Sequence, residues 1–261
     1  MKKDYHMHPT VIQDTGRLEA FVSRAESLGI QEICITDHMP LRGNSAGDRI
    51  PAGKVSDYCA TVRKMAKQYG DRISIKLGIE VDYHPSVEDE IKAVLTSGQF
   101  DYVLGSSHLH AISGLELFTG RVSRNEYAKA MFENTLAAIR TGWFNTIPHL
   151  DMHRWIFANP GRFPLQDDGY DEAHHWEQID RVLMEIRDRG MRLEINPHLA
   201  VKDLDVQKVY PSLSILERAL ELGVKFCYGS DAHKSEEVGT MLDQLRLHPV
   251  YGQAIAQWEA E

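Results

Sequence analysis

The chain has 261 residues, 29 Lys and Arg against 38 Asp and Glu, a formal net charge of −9 and 43% hydrophobic residues. This is an ordinary globular composition, and its acidic balance excludes the broad cationic footprint that binding to nucleic acid or a membrane surface requires. Three cysteines (Cys34, Cys59, Cys227) without C-x-x-C spacing build no disulfide framework, and neither a signal-peptide core nor an apolar run of ~18–20 residues is present, so the chain reads as a cytoplasmic protein.

Short apolar runs predict strands over 5–8, 32–37, 73–81, 101–108, 144–150, 191–196 and 225–231. Amphipathic stripes lie between them. Leu18, Phe21, Val22, Ala25 and Leu28 precede Gly29, Ile179, Val182, Leu183 and Ile186 precede Gly190, and Ile215, Leu216, Ala219 and Leu220 precede Gly223. Alternating strand and helix predicts an α/β fold, a parallel sheet covered by helices, in a single domain over residues 1–261. Stretches 39–55 and 158–171 read as long loops, the kind that cover binding sites.

The 13 histidines are placed unevenly. His6 and His8 end the first strand run, His38 follows the second, Glu80 lies late in the third, His108 ends the fourth and His149 closes the fifth, while Asp231 and His233 follow the seventh. In a parallel barrel these positions share the C-terminal rim, where chemistry is done. Strand alternation turns both side chains of His6-x-His8 to one face. Imidazoles joined by carboxylates make a site suited to Zn, Fe or Mn. More than four converging ligands point to two or three metals, with Glu80 as the bridging carboxylate. Taken singly, His6-x-His8 is a weak signal, Thr36-Asp37-His38 reads equally as a helix N-cap, and Ser230-Asp231-Ala232-His233 as a strand-end turn.

Together, His6-Met-His8, Thr36-Asp37-His38, Gly78-Ile-Glu80, Gly105-Ser-Ser-His108, His149-Leu-Asp151 and Gly229-Ser-Asp-Ala-His233 resemble the ordered motifs of the PHP (polymerase and histidinol phosphatase) family, across residues 4 to 240. The resemblance implies a distorted (β/α)7 barrel with a trinuclear site. One metal would take His6, His8, Glu80 and Asp231. A second would share Glu80 with His108 and His149, and a third would take His38, His233 and Asp14. Glu194-Ile-Asn196 and Tyr210-Pro-Ser212 are most similar to the histidinol-phosphate phosphatase branch, although Pro197 and His198 replace the small residues usual after that Asn.

The resemblance implies a small phosphorylated substrate, L-histidinol phosphate foremost, hydrolysed by a metal-bridging hydroxide attacking in line. Arg154, Lys202, Arg42 and Lys234 are the candidate phosphate cations. Asp231 or His233 is expected to protonate the leaving alcohol, and Asp37 and Asp151 to orient neighbouring ligands or to remain solvated. Three alternatives stand beside this reading. The same site acts on a nucleotide, cyclic phosphate or small phosphodiester, or the chain is a non-catalytic metal-stabilised scaffold, or it is an amidohydrolase. The last lacks its usual middle-strand lysine here.

Overall fold

The computed structural model describes residues 1–41 and 48–261; Arg42 lies outside the described residues. Seven strands form, six overlapping the expected runs and the first lying just ahead of 5–8: β1 (Lys3–Asp4), β2 (Glu32–Ile35), β3 (Ser74–Asp82), β4 (Tyr102–Ser106), β5 (Thr146–Ile147), β6 (Arg192–Ile195) and β7 (Lys225–Tyr228). They pair in parallel in sequence order. Tyr5 N–H donates to the Tyr228 carbonyl (3.0 Å) and Met7 bridges Ala232, which returns β7 to β1 and nearly closes the barrel.

Helices clothe the outside: α1 (Thr15–Ser27), α2 (Val55–Tyr69), α3 (Glu88–Ser97), α4 (Arg124–Thr141), α5 (His153–Ala158), α6 (Trp176–Asp188), α7 (Leu213–Glu221), α8 (Leu242–Leu247) and α9 (Tyr251–Ala260). The predicted stripes are the buried faces: Leu18, Phe21, Val22 and Ala25 on α1, and Ile179, Val182, Leu183 and Ile186 on α6. Each face covers the strands and takes their apolar side chains out of water. No described helix is long and apolar enough to cross a membrane.

The strands are shorter than the sequence pattern implies. All but β3, which runs one residue further, stop before their predicted ends. For β5 and β7 the reason lies in the backbone beyond them: His149 (φ 28°) and Asp231 (φ 54°) turn into positive φ, which no strand can continue through. His6 and His8 follow β1 instead of lying on it, yet both are fully buried and aimed inward.

The opposite end of the barrel is stoppered by α9. Trp258 packs edge-on against Tyr5 (4.8 Å between centroids) with Lys3 and Arg192 over its ring at 4.3 and 4.9 Å. Lys3 and Arg192 open β1 and β6, so this plug sits at the strand N-termini. Chemistry and closure thus occupy opposite rims.

Candidate metal centre

Six imidazoles and several carboxylates converge where the strands end. His6 Nε2 and His8 Nε2 are 2.9 Å apart. Glu80 Oε2 lies 3.3 Å from the first and 3.4 Å from the second, and Asp231 Oδ1 lies 3.6 and 3.2 Å from them. Donors held about 2.0–2.1 Å from a tetrahedral ion stand about 3.3 Å apart, so these four atoms have the spacing of a ligand set. The other oxygen of Glu80 faces a second group, with His149 Nε2 at 3.1 Å and His108 Nε2 at 3.7 Å. His8, His38 and His233 form a third cluster of donors within 4.8 Å of one another. His38 Nδ1 is 2.9 Å from Glu80 Oε2 without the angles of a hydrogen bond.

The donor chemistry fits bound cations. His8 Nδ1, His38 Nδ1 and Glu80 Oε2 are buried with no hydrogen-bond partner. Such groups cost roughly 1–3 kcal/mol each when left unsatisfied, a deficit that ligation removes. The charges are strongly coupled. Burial lowers the affinity of His6 for a proton, but Glu194, Asp231 and Glu80 outweigh it and raise its pKa well above the ordinary value. Burial likewise works against a protonated His38, yet Glu80 and Asp82 carry its pKa to about 9. Burial raises the Glu80 pKa, and the surrounding His38, His6 and His108 drive it well below the usual carboxylate range.

A further set of groups fixes these side chains. Glu194 Oε1 accepts from His6 Nδ1 (2.7 Å), and its Oε2 accepts from His149 N–H (3.0 Å) and Asn196 Nδ2 (2.9 Å). Asp82 Oδ1 accepts from His108 Nδ1 (2.7 Å), and its Oδ2 pairs with Arg49 Nη1 (2.5 Å). Asp231 is held by its N–H to the His6 carbonyl (2.7 Å) and by Asn196 Nδ2 on Oδ2 (3.2 Å). These bonds keep His149 and Asp231 at positive φ, where strain costs about 1–3 kcal/mol per residue. Gly229 is required beside them, because a Cβ there would collide with Glu194 and His6.

Asp82, Glu194 and Asn196 were not among the predicted site residues, though the signal was present. Glu80-x-Asp82 and Glu194-x-Asn196 repeat the His6-x-His8 spacing, and period two on a strand sends both members to one side.

The third cluster lacks Asp14. That residue is exposed and its carboxylate accepts from Gly16 N–H (2.8 Å), which makes it the N-cap of α1. An Asp directly before an amphipathic stripe is a helix-start signal, and here it takes the residue away from the cluster. Asp37 is neither a ligand's partner nor solvated: it is buried and accepts from Thr10 N–H (2.8 Å) and Val11 N–H (2.9 Å), clamping the loop after β1. Burial opposes its charge most and raises its pKa to about 6.

The clusters border a pocket of about 340 Å³ lined by His38, Glu80, His108, His149, Asp231 and His233, together with Asp48, Arg49, His110, Trp155, Arg162 and Tyr210 among others. The predicted phosphate cations stand elsewhere. Arg154 spends its guanidinium on Asp151 Oδ2 (3.0 Å) and on the carbonyls of Val209 (2.9 Å) and Gln207. This pairing also answers for Asp151, which is fully buried and orients no candidate ligand. Lys202 and Lys234 are exposed and do not line the pocket. Lys202 and Lys234 lie outside helices and strands and Arg154 on the short helix α5, so spacing alone could not place them.

Residues 4–198 match the family described as "PHP domain". A Deinococcus radiodurans protein named "Probable histidinol-phosphatase" is 30% identical over 248 residues, covering 90% of this chain and 88% of that protein. A Lactococcus lactis histidinol-phosphatase is 28% identical over 95% of this chain and 88% of its own length. The solved structure of histidinol phosphate phosphatase from Lactococcus lactis, complexed with zinc, L-histidinol and phosphate, superposes with a TM-score of 0.70 at 21% identity, covering 97% of this chain and 93% of that one. Motif order, barrel and full-length likeness lead to one assignment: the chain belongs to the PHP domain family.

Proposed function

We propose that this chain hydrolyses a phosphate monoester, L-histidinol phosphate, releasing L-histidinol and inorganic phosphate in the cytoplasm. The observation that carries the reading is the convergence of His6, His8, Glu80 and Asp231, at donor separations of 2.9–3.6 Å, on a pocket sized for a small molecule. The substrate is supported by relatives named as histidinol-phosphatases along nearly their whole length. All three cysteines are free, which supports a reducing compartment.

The residues fit two or three divalent transition metal ions. His6, His8, Glu80 and Asp231 would hold one, Glu80, His108 and His149 a second, and His38 and His233, beside the His8 ring, lie where a third would sit. Bound there, such ions supply Lewis-acid polarisation of the phosphoryl oxygens and an activated water. The chain's part is positional. Glu194 and Asp82 fix the rings of His6 and His108 with their far nitrogens as donors, so the inward nitrogens present lone pairs. Asp231 and His233 both line the pocket.

The test is phosphate release from L-histidinol phosphate, AMP, p-nitrophenyl phosphate and bis-p-nitrophenyl phosphate, using protein loaded in turn with Mn, Zn and Fe, beside a His108→Ala control. The proposal expects L-histidinol phosphate to be strongly preferred and the control to be inactive. Preference for AMP or the diester would overturn the substrate, and silence throughout with metal bound would overturn the enzyme.

A further inference from the structure

We propose that Arg49 anchors the phosphoryl group of the substrate, an inference that rests on the monoesterase reading above. Among the described residues two cations line the pocket, Arg49 and Arg162. Arg162 is exposed, and its guanidinium lies over Trp155 (5.4 Å) and Phe163 (5.1 Å). Arg49 is only 8% exposed and already fixed in place. Its Nη1 donates to Asp82 Oδ2 (2.5 Å) and to the Met39 carbonyl (3.1 Å), while its Nε is buried without a partner.

Position supports the role. The backbone of residue 49 bridges that of His38, and Ile50 N–H donates to the His38 carbonyl (2.9 Å), so the guanidinium is carried beside a residue of the cluster. A guanidinium has five N–H donors in a rigid fork that matches phosphate oxygens, and one nitrogen here meets the whole demand of Asp82 and Met39. The pocket also carries the carboxylate of Asp48, outside the proposed ligand sets, which repels an incoming dianion. A cation ordered in advance offsets that repulsion and loses little freedom when the anion arrives. Arg154, Lys202 and Lys234 are absent from the lining, which leaves Arg49 as the fixed cation among the described residues.

The experiment uses metal-loaded full-length protein and reads three quantities: competitive inhibition by inorganic phosphate, KM for L-histidinol phosphate and for p-nitrophenyl phosphate, and metal bound per chain. Arg49→Gln is expected to raise the phosphate Ki and both KM values about tenfold or more at unchanged metal content, the size of a lost charge-assisted bond. Arg49→Lys, which keeps the charge without the fork, should recover part of this. Asp82→Asn supplies the contrast, because it disturbs His108 and should loosen metal instead. An unchanged phosphate Ki in both Arg49 variants would overturn the proposal. So would a rise that Asp82→Asn reproduces in step with metal loss, since Arg49 would then act only through Asp82. Wild-type protein that hydrolyses neither monoester would overturn the phosphatase reading, and the affinity of each variant for inorganic phosphate, measured directly by calorimetry, would then decide the role of Arg49.

Discussion

Glu194 Oε1 lies 2.7 Å from His6 Nδ1, and both side chains are wholly removed from solvent. The carboxylate leaves His6 no choice of tautomer and aims Nε2 at His8, Glu80 and Asp231. Through its second oxygen it also holds the backbone of His149. Glu194→Gln places an amide where only acceptors fit, opposite N–H groups from His6, His149 or Asn196. Metal affinity should fall about 10–100-fold, as read by competition with a chromogenic chelator. Unaltered affinity would show that Glu194 does not set the geometry of the cluster.

Below the rim, burial lowers the pKa of His153 to about 3, with Arg154 and His175 adding to the effect. The unfolded chain binds this proton below about pH 6.5, whereas the folded chain refuses it until about pH 3. The stabilisation is therefore complete above pH 6.5 and is lost as pH falls toward 3. Between pH 6.5 and 5 the loss is on the order of 2 kcal/mol. Urea unfolding of metal-stripped wild type and His153→Gln across this window should show a shallower acid loss in the variant. Equal slopes would contradict the assignment.

Arg154 belongs to the scaffold. Its bonds to Asp151, Val209 and Gln207, with Tyr210 beneath the guanidinium at 5.4 Å, hold the segment 207–210 against α5. Arg154→Leu leaves Asp151 buried with the Ser212 N–H as its remaining partner. Stability should drop by about 2–4 kcal/mol in denaturant titration, while the phosphate Ki changes less than about threefold. A large rise in that Ki at full stability would return Arg154 to the phosphate.

Trp258→Ala opens the plug at the opposite rim. Removing a large ring that is 4% exposed costs about 3–5 kcal/mol. Because the plug sits at the strand N-termini, metal per folded chain should remain at the wild-type value. Metal loss in step with destabilisation would mean that the two ends of the barrel are coupled.

Much of this architecture is legible before any coordinates. Alternating strand runs and the stripes on α1, α6 and α7 are local patterns with fixed periods, and they predict the barrel that forms. The ligand candidates are legible because strand ends in a parallel barrel share one rim, so His38, His108 and His149 meet despite distant numbers. What escapes is what depends on backbone leaving regular structure. Asp14 caps α1 after a loop that turns at Thr10, whose φ is 53°. Arg49 lines the pocket through a loop path that no repeat encodes, and Arg154 turns away from it on the short helix α5. Strands β5 and β7 end early because His149 and Asp231 adopt conformations that only their tertiary bonds sustain.

The most direct measurement is the rate of phosphate release from L-histidinol phosphate by one preparation before chelation, after complete metal removal, and after reloading with Zn, Mn or Fe. The account predicts turnover in the first state, none in the second and recovery in the third, with two or three metal ions regained per chain. Undiminished hydrolysis by the metal-free protein would contradict it, as would a fully reloaded protein that leaves L-histidinol phosphate intact.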